Sequence, residues 1–86
     1  MQTDLETIKG RVVEATKAAQ GHLAIDDVVI EAARNDDGSD FLRVVVQIKH
    51  SDKTEDRDLE ALLEAIEDAV SAVDERYPSV RFADAA

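Results

Sequence analysis

Cysteine and tryptophan are missing from all 86 residues, and aromatic rings are confined to Phe41, Tyr77 and Phe82. Without cysteine there is no disulfide, no thiolate nucleophile and no cysteine-built metal cage, a composition that suits a reducing compartment. With so few rings, valine, leucine, isoleucine and alanine must fill the core. Glycine occurs three times and proline once, at Pro78, and no glycine-rich loop that could cradle a phosphate is formed. No apolar run nears the length of a membrane span, and Asp4 and Glu6 leave no basic signal-peptide head; a cytoplasmic protein without a membrane partner is expected. Bases are short as well. Ten Lys and Arg stand against twenty Asp and Glu, a net charge of −10, which repels nucleic-acid phosphates and favours basic proteins or cations as partners. The same acids keep a small protein in solution.

What is present is globular in composition, 44% hydrophobic and 35% charged. The length makes one α+β domain, 1–86, with a modest core that oligomerisation would help. The most ordered pattern lies in residues 55–77, before Pro78. Leu59, Leu63, Ile66, Val70, Val73 and Tyr77 recur at steps of four and three, so they share one helical face, widened by Leu62 and Ala69. The other side carries Asp56, Glu60, Glu64, Glu67, Asp68, Asp74 and Glu75. Asp52 or Thr54 can cap this helix, the spacing to Glu55 favouring Asp52.

An earlier helix is expected over 4–20. Thr3 and Glu6 have capping-box spacing, Leu5, Ile8, Val12, Ala15 and Ala19 form its stripe, and Gly21 suits the left-handed residue after its end. Gly10 inside it reflects either close backbone approach or simple tolerance. Residues 28–34 and 41–49 alternate as strands. With 36–38 as a three-residue loop and Gly38 left-handed, Ala32 faces Leu42, Ile30 faces Val44 and Val28 faces Val46, which puts like with like on the core side. A third short strand, 80–82, follows Pro78, and 84–86 are expected to fray. The order α-β-β-α-β predicts a two-layer sandwich, two helices on one face of a three-stranded sheet, half of a ferredoxin-like fold. The third strand can lie beside the first or the second; beside the first is preferred.

Chemistry is harder to find. Asn35-Asp36-Asp37-Gly38-Ser39-Asp40 resembles part of a calcium loop, but aligning Gly38 with the loop glycine puts Ala33 and Val44 at ligand positions. A hairpin turn accounts for it better. His22 and His50 are the only histidines and have no metal-motif spacing; a divalent-cation site would need both to converge with an acid such as Asp52 or Asp26, or with a second subunit. Ser39, Ser51, Ser71 and Ser79 have no base-and-orienter arrangement. No cofactor and no catalytic activity are expected.

The stretches Asp27-Val28 leading a strand, Arg34 and Gly38 around the hairpin, 42–48 as the second strand and the Glu-rich helix before Pro78 together resemble the cytoplasmic C-terminal domain of cation diffusion facilitator transporters, over most of 8–82. The resemblance implies a similar topology and dimerisation. Where that family usually places histidine near the end of the final strand, this chain has Phe82, Ala83 and Asp84.

Two surfaces remain. The parity that buries Leu42 turns Phe41 outward with Val29, Arg43 and Val45, an expected homodimer interface in which Arg43, Lys49 and Arg81 could meet Glu31 across a two-fold axis. Glu60, Glu64, Glu67 and Asp68 form a solvated acidic ridge that can dock a basic protein. The expected function is therefore a non-catalytic acidic interaction or regulatory protein. The alternative is a metal-responsive domain using His22, His50 and Asp52.

Overall fold

A computed structural model describes residues 4–19, 21, 23–49 and 55–84. The elements run α1 (Leu5–Ala19), β1 (Ala24–Arg34), β2 (Asp40–Lys49), α2 (Asp56–Ser71) and β3 (Tyr77–Asp84). They build an α+β two-layer sandwich, a ferredoxin-like half with a mixed sheet of order β1-β2-β3. β2 is central, antiparallel to β1 and parallel to β3. The preferred placement of the third strand beside the first is thus corrected. β2 holds the alternating row Leu42, Val44, Val46 and Ile48, all buried, and a row flanked by strands on both sides buries more apolar surface than one at an edge.

The hairpin follows the expected register: Ala32 meets Leu42, Ile30 meets Val44 and Val28 meets Val46. Its loop is 36–38, closed by the Asn35 amide donating to the Ser39 carbonyl at 2.8 Å. Gly38 sits at φ +89°, a left-handed conformation that a side chain would strain. At the far end of β1 the pairing skips Asp26 between Ile25 and Asp27. This extra residue reverses strand parity, so Leu23 (buried) and Ile25 (half-buried) join Val28 against the helices. β1 therefore begins at Ala24 rather than at 28.

α1 lies over β1 and α2 over β3. The core joins Ile8 and Val12 of α1, the buried row of β2 and Leu62, Ile66 and Val70 of α2. In α1 the third buried position is Thr16 rather than Ala15; its hydroxyl donates to the Val12 carbonyl at 2.7 Å, which removes the cost of burying it. Thr3 lies outside the described residues, and Gly21, at φ +56°, closes the helix as expected. α2 begins after Glu55, which holds the cap position in extended geometry with no side-chain cap bond; Asp52 and Thr54 lie outside the described residues. Its stripe centres on Leu62, with Leu59, Leu63 and Val73 only partly buried around it.

α2 also stops earlier than its periodicity predicts. It ends at Ser71, so residues 72–76 form the connection and Tyr77 opens β3. The Asp74 carboxylate accepts from the Arg76 amide at 2.8 Å, from Nε at 3.0 Å and from Nη2 at 2.9 Å. That clamp satisfies the Arg76 amide, which a continuing helix would have bonded internally. Tyr77 faces away from the core and is 67% exposed, against its expected inward placement. Asp84, expected to fray, is the last residue of β3.

Candidate functional site

The helix-free sheet face is built by strand parity into cross-strand rows. Ala33, Phe41 and Tyr77 form one row; Glu31, Arg43 and Ser79 the next; Val29, Val45 and Arg81 the third; Asp27, Gln47 and Ala83 the last. All four sequence-expected interface residues lie here. Val29 and Val45 are direct partners, with Val29 39% exposed and Val45, Phe41 and Arg43 half-buried. Tyr77, placed in a helix by its periodicity, extends the apolar row from Phe41. The signal that could have moved it was the residue after it, because proline restricts the preceding backbone to extended conformations.

Two cations, Arg43 and Lys49, are partnered within the chain. Arg43 Nη1 donates to Glu31 Oε1 at 3.2 Å, while its guanidinium carbon sits 5.7 Å from the Phe41 ring centre. One cation thus covers an aromatic face and neutralises a neighbouring acid. Lys49 Nζ lies 3.4 Å from Asp26 Oδ1. Within the chain, Glu31 takes Arg43 and Lys49 takes Asp26.

On the other layer, Glu60, Glu64 and Asp68 are exposed and Glu67 is half-buried along α2. From 55 to 68 there are seven acids and one base, Arg57, whose Nε pairs with Glu55 at 2.8 Å. Asp74, assigned by periodicity to this ridge, is instead buried with Arg76; their side chains are 0% and 8% exposed. The Arg76 guanidinium is held above its ordinary value first by the Asp74 hydrogen bonds, against the opposing effect of burial, with Asp40 and Glu75 adding favourable field. This pair secures the turn into β3.

The hairpin loop spends its acid internally. Asp37 Oδ1 accepts from the Ser39 hydroxyl at 2.6 Å and the Ser39 amide at 2.9 Å, and Asn35 Nδ2 donates to Ser39 Oγ at 2.9 Å. The Ser39 hydroxyl, then its amide, holds the Asp37 carboxyl below its ordinary range. Among the described residues no group of three or more His, Cys, Asp or Glu comes together as a metal cluster; His22, His50 and Asp52 lie outside them. No described helix is long and apolar enough to cross a membrane.

The fold and its surfaces thus define a two-layer α+β module with one open sheet face and one acidic helix. Comparison with known protein families, curated proteins and solved structures finds no match for the chain.

Proposed function

We propose that this protein is a non-catalytic interaction module, self-associating through the open sheet face and offering the acidic side of α2 to a basic protein partner. The observation that carries the reading is the uncovered row Ala33–Phe41–Tyr77 beside Val29–Val45. A second copy would remove these side chains from water at about 25 cal/mol per Å² of apolar area. The ion pairs Arg43–Glu31 and Lys49–Asp26 reduce the uncompensated charge that the face brings to its copy. The acids of α2 lie on the opposite layer, outside the contact. Net charge still opposes association, so the dimer should tighten as salt screens it. Sedimentation of wild type and Phe41→Asp over a salt series tests this. A wild-type monomer at every salt concentration ends the self-association reading. A dimer indifferent to Phe41→Asp moves the contact to another surface.

A further inference from the structure

Two packed helices are wider than three strands. With axes 8–10 Å apart and a diameter of about 10 Å, a helix pair spans roughly 20 Å, whereas three strands at about 4.8 Å cover roughly 14 Å. The shortfall is about one strand, and the structure shows where part of it falls. Along the β3 edge, Leu59 and Leu63 of α2 overhang the sheet and form an open groove with Phe82 as its floor and Asp56 and Glu60 on its rim. All three apolar residues are half-buried and both acids exposed. Among the described residues β3 pairs with one strand only, β2. The opposite edge differs. There β1 is broken by the bulge at Asp26 and bordered by Asp26 and Asp27, devices that discourage strand addition.

The geometry points to the β3 edge as a strand-addition site for an extended, basic segment of a partner protein, with Lys or Arg at every second position. Added beside β3, such a segment takes main-chain hydrogen bonds from the open edge. Pro78 lacks an amide hydrogen, so the usable run is 79–83. Alternate side chains then point toward α2. Lysine or arginine fits there because its aliphatic stem packs on Leu59, Leu63 and Phe82 while its charged head reaches Asp56 and Glu60. A second copy of this chain fits poorly. Pairing two β3 edges would set each Asp56 and Glu60 near their counterparts, an uncompensated repulsion. The inference rests on α2 as a docking surface and is independent of self-association.

The test uses an acetylated peptide of alternating lysine and valine, matched in length to the eight residues of β3, added to the ¹⁵N-labelled full chain. The expected result is saturable binding with amide shifts along 79–83 and at Leu59 and Leu63. The paired exposed substitutions Asp56→Lys and Glu60→Lys should weaken it at least about tenfold, by reversing charge at the rim. An alternately N-methylated peptide keeps charge and side chains but loses the ladder, and should lose most of the affinity. Shifts confined to Glu64 and Asp68, with equal binding of the methylated peptide, overturn strand addition and leave only an electrostatic docking surface. No binding at low salt overturns both the site and the reading of α2 on which it rests.

Discussion

The Asp74 carboxylate accepts three hydrogen bonds from one residue, Arg76, at 2.8–3.0 Å in a nearly dry turn. Such a pair contributes little against a well-packed apolar replacement, but removing one member strands the other. Asp74→Ala is therefore expected to lower stability by about 3–5 kcal/mol in urea unfolding. Arg76→Lys should fall between it and wild type, because an ammonium cannot reproduce the forked contact. At the other turn the consequence is one of pH. The Asp37 carboxyl is held below its ordinary value of 3.8, so its folded form favours the charged state. Its contribution is present above the unfolded value and lost as pH falls through the lower folded one. Ser39→Ala removes both the strongest cause and one of the serine's bonds to Asn35. NMR titration of the Asp37 carboxyl should then show its pKa rising toward the ordinary value.

β2 was legible in the sequence because a central strand with one buried face needs strict alternation, and Leu42, Val44, Val46 and Ile48 supply it with no competing pattern. The end of α2 was not. Val73 and Tyr77 continue the helical spacing by coincidence, and a side-chain clamp from Asp74 to Arg76 has no periodic trace. The start of β1 was hidden for a related reason, since the extra residue Asp26 breaks the alternation that marks Leu23, Ile25 and Val28 as one row. Deleting Asp26 would restore regular pairing and keep Leu23 and Ile25 on the core side, because Ile25 still meets Ile48 and Asp27 still meets Gln47. The deletion variant should unfold at about the same urea concentration as wild type, losing only the exposed Lys49–Asp26 ion pair. Ile66 is fully buried in the middle of α2, and Ile66→Ala should cost about 2–5 kcal/mol from lost burial and the cavity left behind. Gly10 gives the opposite sign. A Cβ built there meets nothing within 4 Å, so tolerance rather than close approach explains it. Gly10→Ala should raise stability by up to about 1 kcal/mol in thermal or urea unfolding.

Charge is distributed unevenly over the whole molecule. The stretch 55–68 holds seven acids and one base, whereas Asp4, Glu6 and Glu14 of the first helical region are balanced by Lys9, Arg11 and Lys17. This imbalance was visible in the sequence, but its placement away from the open face needed the strand order. The groove beside β3 was invisible because Leu59, Leu63 and Phe82 meet only once the sheet stops at three strands. Repulsion along α2 is exposed to solvent and therefore screenable. The melting temperature should rise between low and moderate salt, and the rise should shrink when Glu64 is replaced by lysine. The parallel pairing of β2 with β3 has a further consequence, in time rather than in space. Arg34 finds Asp40 across a short loop, whereas Phe41 must find Tyr77 after the intervening 42–76 have been brought round. Closing the longer loop is entropically dearer, and non-local pairings form late. In pulse-labelling hydrogen exchange, amides of the β1–β2 hairpin should gain protection before those of β3. During that interval one edge of β2 stands open, and any chain that reaches it first competes with the protein's own last strand.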